Sequence, residues 1–257
     1  MSSRQKYVAF ETILAKEVRR FTRIWVQTLV PPAITIGLYF LIFGNLIGAR
    51  IGDMGGHSYI EFIVPGLIMM AVIQNSYANV VSSFFSQKFQ RSIEELLVSP
   101  IPNYVILCGF VAGGVVRGLA VGAIVLLVSF TFTDFYIHDL TITVLIIFLT
   151  AVIFSLAGFI NALFANSFDD ISIVPTFVLT PLIYLGGVFY SVDLLPDAGR
   201  LVSSLNPIFY MVNAFRFGIL GTSDANIYWS IVMLFTFSAL LSTSCIMLLR
   251  RGTGLRH

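Results

Sequence analysis

Residues 176–221, TFVLTPLIYLGGVFYSVDLLPDAGRLVSSLNPIFYMVNAFRFGILG, hold the pattern that decides the fold. An apolar run ends at a glycine pair, a short polar patch follows, and Asn206-Pro207 opens a second apolar run. That second run, 208–220, has about 13 residues, whereas a helix needs about 20 to cross the hydrocarbon core of a bilayer. It is also too apolar and aromatic for a solvated loop. The stretch therefore predicts a re-entrant segment, whose backbone must be buried in protein or line a wet cavity.

The composition of the whole chain is that of a membrane protein. Of its 257 residues, 57% are hydrophobic and 11% are charged, whereas about 25% are charged in soluble domains. No polar stretch is long enough to form a separate soluble domain, so we predict a single all-α membrane domain over 1–257. The apolar runs predict six transmembrane helices, at 25–47, 61–85, 104–132, 141–164, 171–189 and 227–249.

The amino-terminal segment predicts an interfacial helix at 4–23. Its apolar side chains share one face at helical spacing: Tyr7, Phe10, Leu14, Val18 and Phe21. A helix of this kind lies along a membrane surface with its cations toward the headgroups.

The distribution of positive charge predicts the topology. Eleven Lys and Arg residues lie in the amino-terminal segment, the loop at 86–104 and the carboxyl tail: Arg4, Lys6, Lys16, Arg19, Arg20, Arg23, Lys88, Arg91, Arg250, Arg251 and Arg256. The positive-inside rule then places both termini and this loop in the cytoplasm and the re-entrant segment outside. The loop at 165–172, which has no Lys or Arg, is the exception.

Polar side chains inside the predicted spans mark candidate functional positions. In the second span they form a stripe at helical spacing, with Gln74 beside it: Asn75, Asn79, Ser82 and Ser86. Polar groups that face lipid are costly, so this stripe is expected to face protein or water.

The third span combines small residues with one cation. Glycines recur at a spacing of four residues, which lets helix backbones approach closely: Gly109 and Gly113, then Gly114, Gly118 and Gly122. Arg117 lies among them. It either contacts an anionic lipid or substrate or extends its charge to the cytoplasmic headgroups.

Two acidic sites lie in predicted cytoplasmic loops. The first is a short helix at 88–100 that contains Glu94 and Glu95. Ser92 and Glu95 have the spacing of a capping box, which predicts that Ser92 caps this helix. The second site is the Asp pair at 169–170. The two sites either dock a soluble partner or are simply solvated.

The sequence contains no catalytic or metal-binding pattern. His57 and His138 fall in predicted external loops, and His257 is the last residue. Cys108 and Cys245 sit in apolar runs and predict buried thiols. No GxxxxGK[ST] loop occurs, so if ATP drives this protein, another chain must bind it. The scarcity of intramembrane acids disfavours proton coupling. A stand-alone channel, a secondary transporter or a membrane enzyme is the alternative.

The ordered motifs of the chain resemble those of the ABC-2 type transporter permeases. The cytoplasmic segment FQRSIEELLVSP and the segment FDDISIVPTFVLTPL carry part of this similarity. The rest lies in the opening stretch: Pro181, Tyr184-Leu185-Gly186-Gly187-Val188-Phe189, Pro196, Leu205-Asn206-Pro207, Tyr210, Ala214-Phe215-Arg216 and Gly221. The resemblance covers the whole chain.

The resemblance implies a dimer of six-span subunits in a bacterial inner membrane, with an ABC ATPase dimer bound at the cytoplasmic face. ATP and Mg would be bound by that partner, and this chain would hold no cofactor. The other partners would be a second copy of the chain and membrane lipids, and no nucleic acid. The cargo would be a hydrophobic, lipid-like or glycolipid molecule that is exported.

The resemblance also implies three sets of site residues. The coupling helix at 88–100 and the second acidic loop would contact the ATPase through Ser92, Glu94, Glu95, Leu96, Pro100, Asp169 and Asp170. The path between subunits, lined by spans one, two and five, would include Gln74, Asn75, Asn79, Asn161 and Tyr184. An external re-entrant helical hairpin at 190–221, between spans five and six, would gate the exit through Gly186, Gly187, Asn206, Pro207, Tyr210 and Arg216.

Overall fold

The computed structural model describes residues 1–134 and 136–254, and the chain is almost entirely helical within these ranges. The α-helices are, in chain order, α1 (Ser3–Arg23), α2 (Trp25–Thr28), α3 (Val30–Tyr39), α4 (Gly48–Ile51), α5 (Tyr59–Phe89), α6 (Ser92–Val98), α7 (Asn103–Ser129), α8 (Leu140–Phe164), α9 (Asp170–Ile173), α10 (Thr180–Leu185), α11 (Asp197–Ser204), α12 (Pro207–Leu220) and α13 (Ile227–Arg251). The prediction of an all-α protein is confirmed, apart from a hairpin of two short strands, β1 (Asp53–Met54) and β2 (His57–Ser58). Arg256 and His257 lie outside the described residues.

Five helices in the described part of the chain are long and apolar enough to cross a membrane: Trp25–Gly44, α5, α7, α8 and α13. The predicted fifth span, 171–189, is instead a shorter apolar helix over Asp170–Leu185. It joins α9, a π-helical turn at Val174–Leu179 and α10. At 1.5 Å per residue it extends about 24 Å, less than a hydrocarbon core of about 30 Å. Length alone therefore identifies five spans where the sequence predicted six.

Helix α5 is the centre of the bundle. It is buried along most of its length and packs against α7, α8 and α12. Two of these contacts depend on glycines that bring backbones together. A Cβ added at Gly118 of α7 would collide with the Ser76 side chain, and one at Gly158 of α8 would lie 2.6 Å from the Tyr77 carbonyl oxygen. The close approach expected from the glycine spacing is confirmed, and α5 is the helix that α7 approaches.

Helix α1 packs lengthwise on the first half of α7. A Cβ added at Gly109 would lie 2.5 Å from Ile13 Cγ2, and one at Gly113 would lie 2.5 Å from Glu17 Cβ. The packed face therefore carries Ile13 and Glu17, whereas Tyr7 is 65% exposed. The prediction of a helix at this position is confirmed. The predicted apolar face of α1 is only partly correct. The close contact with the glycines of α7 is made by the face that carries Ile13 and Glu17, and not by the one that carries Tyr7.

The predicted capping box of the helix at 88–100 is wrong. That helix is α6, and Arg91 precedes it in the left-handed region with φ +60°. This turn makes Ser92 the first helical residue rather than the cap, and its Oγ donates a hydrogen bond to the Gln87 carbonyl oxygen at 3.3 Å. The sharp turn at Arg91 thus replaces the side-chain cap.

The third predicted span, 104–132, ends earlier than expected, because α7 stops at Ser129. The Ser129 and Thr131 hydroxyls donate to nearby backbone carbonyls, a local bonding that competes with helix continuation. Cys108 of α7 is exposed, so the prediction of a buried thiol is wrong there, while Cys245 is buried as expected.

The two ends of the bundle are built from different elements. We call residues 186–226, which contain α11 and α12, the capped end. We call residues 90–102 and 165–169, which lie at the other end of α5 and α8, the loop end. Gly254 packs against the Leu163 carbonyl, so the last described residues also lie at the loop end.

Candidate functional site

The two segments of the loop end form one surface. Lys88 Nζ donates to the carbonyl oxygens of Leu163 and Ala165, both at 2.7 Å. These carbonyls lie at the carboxyl end of α8, where a cation is favourable. Phe168 packs on Phe89 with ring centroids 5.1 Å apart. A cleft of about 440 Å³ lies between the segments and is lined by Phe85, Lys88, Phe89, Arg91, Ile93, Glu94, Ala165 and Asn166.

The acids predicted to couple to an ATPase differ in exposure. Glu94 and Glu95 are exposed in the first turn of α6, and Asp169 is exposed in the neighbouring segment. The Asp170 carboxylate instead bonds within its own loop, where its Oδ2 accepts the Asn166 N–H at 2.8 Å. Three of the four acids therefore face outward, and the fourth shapes the loop.

The remaining predicted coupling residues position α6. Ser92 bonds to the end of α5, as described above. Leu96 is half-buried and packs against the hydrophobic core. Pro100 lies in a shallow groove beside Arg4 and Val8 of α1. These side chains therefore fix the orientation from which Glu94 and Glu95 are presented.

A buried polar network joins α1 to the polar stripe of α5. Glu17 is fully buried, and Ser83 Oγ donates to its Oε1 at 2.5 Å. Arg20 Nη2 lies 3.4 Å from Glu17 Oε2 and donates to the backbone oxygen and Oδ1 of Asn79 at 2.9 and 2.8 Å. Asn79 is 0% exposed. It was predicted to line the path, but in this structure it is enclosed by protein.

Asn75, the next residue of the stripe, is also directed into the protein. Arg117 Nη2 donates to Asn75 Oδ1 at 3.2 Å, and Asn75 Nδ2 donates to the Ala71 carbonyl oxygen at 2.9 Å. Neither of the alternatives for Arg117 describes this contact, since the guanidinium binds a side chain of α5. Asn75 and Asn79 of the stripe face protein, which was one of its two expected environments, whereas Ser82 also lines an open groove.

Sequence reasoning missed Glu17 as a site residue. A glutamate in a basic amphipathic segment is expected in solvent, as Glu11 of the same helix is. The signal that could have identified it is a match of spacings: Ile13 and Glu17 are four residues apart, as are Gly109 and Gly113 of the helix they contact. Two glycines on α7 that face Ile13 and Glu17 let the helices approach closely, so the Glu17 side chain is buried from its Cβ onward.

Gln74 faces away from this network and lines an open groove between α5 and the helix Asp170–Leu185. The groove has a volume of about 440 Å³ and is lined by Gln74, Tyr77, Ala78, Val81, Ser82, Ile171, Ser172, Pro175, Thr176, Leu179 and Thr180. Asn161 of α8 supports the second wall, because its Nδ2 donates to the Ile171 carbonyl oxygen at 3.4 Å. Of the predicted path residues, Gln74 alone lines this groove.

Tyr184 lies in an aromatic cluster near the capped end. Its hydroxyl is 3.1 Å from the Tyr39 hydroxyl, and its ring stacks on Phe189 at 5.7 Å. Phe43 lies 5.0 Å from Phe189. The cluster therefore connects the first span to the end of the predicted fifth span, a place where the sequence alone did not predict a contact.

Arg216 is the anchor of the capped end. It is 1% exposed, and its Nη2 and Nη1 donate to Gly187 O at 2.6 Å and Asn213 Oδ1 at 3.1 Å. Its guanidinium lies 3.9 Å from the centre of the Phe62 ring of α5, a cation–π distance. Gly187 has φ +74°, which a side chain would oppose. Two of the predicted gate residues thus bond to each other.

The other predicted gate residues form the α11–α12 hairpin. Asn206 caps α12 by accepting the Ile208 N–H at 3.0 Å, and its Nδ2 donates to the Leu182 carbonyl oxygen at 2.6 Å. Pro207 is the first residue of α12, so Asn206-Pro207 begins this helix where the sequence placed the start of the second apolar run. Tyr210 donates to the carbonyl oxygen of Ser204, in α11, at 2.9 Å. At Gly186, a Cβ would lie 2.9 Å from Ile208 Cγ2. The capped end is therefore closely tied to α5 and α10.

Known proteins resemble this chain along most of its length. Residues 8–220 match the ABC-2 type transporter family. Inner membrane transport permease YadH of Escherichia coli is 59% identical over 250 residues, which cover 97% of this chain and 98% of that protein. Nodulation protein J of Rhizobium leguminosarum is 24% identical over 195 residues, 74% of each chain, and that of Sinorhizobium fredii is 26% identical over 180 residues.

These similarities confirm the family that the ordered motifs indicated. Together with the apolar helices, they make the chain a multi-pass inner membrane protein and a transport permease component. The chain belongs to the ABC-2 type transporter family.

Proposed function

We propose that this chain is the permease subunit of an ATP-driven exporter that works with a separate ABC ATPase dimer. Two copies of the chain would form the path, and the ATPase would bind ATP and Mg. The cargo would be hydrophobic, lipid-like or a glycolipid, taken from the cytoplasm or the inner leaflet. Family membership and the names of the relatives as transport permeases support this proposal.

The proposed topology has six spans, with Asp170–Leu185 as the fifth and both termini in the cytoplasm. Three features support it. The loop end gathers α1, the last described residues and most of the basic residues, as the positive-inside rule requires of a cytoplasmic face. The short fifth helix continues into a closely packed turn that reaches Phe189. Helix α12 is too short to span and is covered by α5 and α8, as expected for a re-entrant helix outside.

The observation that carries the proposal is the composite surface of the loop end. Glu94, Glu95 and Asp169 come from two segments far apart in sequence, yet Lys88 and Phe168 hold those segments together. A partner that pushes on α6 would therefore move α5 and α8 as one unit. The exposed acids Glu94, Glu95 and Asp169 favour basic contacts on a partner, although the exposed cation Arg91 lies beside them.

At the other end, the capped end would act as the gate of the exit. Arg216 contacts Phe62 of α5 and Asn206 bonds to Leu182 of α10, so opening would occur between subunits rather than within one. The aromatic cluster of Tyr39, Tyr184 and Phe189 would lie beside this exit and suits an apolar cargo.

The exchange of Glu94 and Glu95 for lysine tests the coupling role. We expect roughly tenfold weaker association with the proposed partner ATPase, because like charges would now face the basic contacts proposed for it. ATPase activity of the reconstituted pair, measured against ATPase concentration, reports this change. A matched control replaces the exposed Asp193 and Asp197 of the capped end by lysine and should leave the activity unchanged. Normal assembly with unchanged ATPase activity of the Glu94/Glu95 variant would refute the coupling proposal.

A further inference from the structure

Arg117 of α7 has no counter-charge among the described residues. Its Nη2 donates to the neutral amide oxygen of Asn75 at 3.2 Å, and its Nη1 makes no hydrogen bond within the described part of the chain. The residue is half-buried, and its Nε is buried without a hydrogen-bond partner. Removing an unpaired cation from water is costly, so this arginine requires an anion as its partner.

The acids of the helix bundle do not supply this charge. In the long helices α5, α7, α8 and α13 the only acid is Glu61, in the first turn of α5 near the capped end. Glu17 of α1 lies closer, because it contacts Gly113, one turn before Arg117. Its carboxylate is already paired with Arg20 at 3.4 Å. The group formed by Glu17, Arg20 and Arg117 therefore keeps one net positive charge.

The guanidinium groups of Arg20 and Arg117 are neighbours along α5. Arg20 Nη2 donates to Asn79 Oδ1 at 2.8 Å, and Arg117 donates to Asn75, which lies one turn away on α5. The two cations are close enough to repel each other. Both remain partly accessible, since the Arg20 side chain is 33% exposed and Arg117 is half-buried. Two forked donors at one place match the oxygens of a phosphate group.

This pair of arginines lies at the depth where the first span begins. Gly37 of α3 packs beside Val128 of α7, and both helices run from the loop end toward the capped end. Counting back equally along each helix reaches Trp25 and Val116, and equal counts of helical residues cover nearly equal heights. Trp25 opens the first span and is a residue typical of the membrane interface. Arg117 is therefore level with the lipid headgroups of the leaflet on the loop-end side.

We propose that Arg20 and Arg117 bind the phosphate of an anionic phospholipid, which stays in place as a fixed part of the protein. The phosphate supplies the missing negative charge and accepts from Arg117 Nη1 and from Arg20 Nη1, which reaches the Ser82 hydroxyl at 3.5 Å. The acyl chains would lie on the apolar surface that follows α1, where Trp25 and Val26 are each 56% exposed. The lipid would join α1 to α5 and α7. It is not cargo, so the inference goes beyond the proposed export function and does not depend on it.

Native mass spectrometry of the full chain in mild detergent, without the ATPase, tests the proposal. The chain is titrated with phosphatidylglycerol and, separately, with phosphatidylcholine of the same acyl chains. We expect phosphatidylglycerol to bind about tenfold more tightly, because its phosphate is not balanced by a cation of its own headgroup. Arg117→Gln should raise the dissociation constant for phosphatidylglycerol about tenfold. Arg250→Gln, which removes an exposed cation from the end of α13, is the matched control and should leave it unchanged.

A second variant, Arg117→Lys, separates the effect of charge from a general loss of structure. It keeps the positive charge, so the preference for phosphatidylglycerol should remain, with a dissociation constant within about threefold of the original. A lysine variant that binds both lipids equally would contradict the electrostatic basis of the site. Excess inorganic phosphate, added as a competitor, distinguishes a lipid from a free phosphate ion and should displace no lipid.

Three further results would overturn the inference. One is equal binding of the two lipids by the original chain, and another is an equal effect of Arg250→Gln and Arg117→Gln. The third is displacement of the lipid by inorganic phosphate, which would mean that the site takes a free phosphate ion. None of these measurements uses the ATPase, so their outcome is independent of the coupling experiment with Glu94 and Glu95.

Discussion

The capped end and the loop end treat their polar groups in opposite ways. At the capped end, Arg216 and Asn206 are 1% and 3% exposed, and each bonds to a backbone carbonyl of another element. At the loop end, Glu94 and Glu95 are exposed and make no ion pair within the described part of the chain. Buried polar groups that bond to other parts of the chain hold one shape. The exposed carboxylates of Glu94 and Glu95 are free to bind a partner.

The loop end nevertheless has a fixed inner layer. Beneath it, Glu17 accepts the Ser83 hydroxyl and pairs with Arg20, and Lys88 donates to two carbonyl oxygens at the end of α8. The difference between the ends therefore lies in the outermost layer, where one end is closed by its own helices and the other presents acids. Substitutions of the buried polar groups should therefore lower the free energy of unfolding, whereas substitutions of the exposed acids of the loop end should leave it nearly unchanged.

The largest loss of stability is expected from Arg216→Met. It removes the cation that bonds to Gly187 and Asn213, so the buried Gly187 carbonyl oxygen loses its Arg216 donor while Asn213 Oδ1 keeps only the Asp224 N–H. This change should lower the free energy of unfolding by about 3 kcal/mol. Titration of the protein from mild detergent into SDS measures this change. Arg200→Met, an exposed cation at the same end, is the control and should cost less than about 0.5 kcal/mol. Equal losses in the two variants would contradict the role of Arg216 as the anchor.

The second-largest loss of stability is expected from a substitution in the polar network beneath the loop end. Glu17→Leu leaves the Ser83 hydroxyl without its acceptor and the Arg20 guanidinium without its counter-charge, and should cost about 2 kcal/mol in the same titration. Glu11→Leu changes an exposed acid of the same helix and should have no effect beyond about 0.5 kcal/mol. If Glu17→Leu were neutral, α1 would be held by its glycine contacts alone.

The long helices could be predicted from the sequence because apolar length is a local property. The ends of α5, α8 and α13 lie within a few residues of the predicted ones. The Asn206-Pro207 cap was equally predictable, since a cap needs only the residues beside it. Local sequence patterns therefore predicted the positions of the long helices and the start of α12.

The contacts between distant segments could not be predicted in this way. The burial of Glu17 depends on Ser83 and Gly113, which are far from it along the chain. The groove requires two helices whose spacing is set by α8 through Asn161. The polar stripe of α5 was predicted from its helical period. That period does not show whether Asn79 faces protein or a path, because the answer depends on contacts with α1.

A smaller loss of stability is expected from substitutions in the α11–α12 hairpin of the capped end. Asn206→Ala removes both the cap of α12 and the hydrogen bond to the Leu182 carbonyl, and should lower the free energy of unfolding by about 1.5 kcal/mol. Asn206→Asp keeps the capping oxygen and loses only the donor, so its cost should be about 1 kcal/mol or less. The same SDS titration compares the two. An aspartate as damaging as alanine would mean that the cap contributes little.

The smallest effect on stability is expected from replacing both Glu94 and Glu95 by glutamine. Neither carboxylate has a bonding partner in the described part of the chain, so the unfolding free energy should stay within about 0.5 kcal/mol of the original protein.

Association of this glutamine variant with the ATPase should respond differently. The original protein should bind the ATPase less tightly as salt is raised, because exposed charges are screened over about 8 Å at 0.15 M salt. The glutamine variant should bind more weakly at low salt and depend less on salt, which a binding titration at several salt concentrations measures. A stable variant with an unchanged salt dependence would mean that these acids are solvated and that the ATPase contacts another part of the loop end.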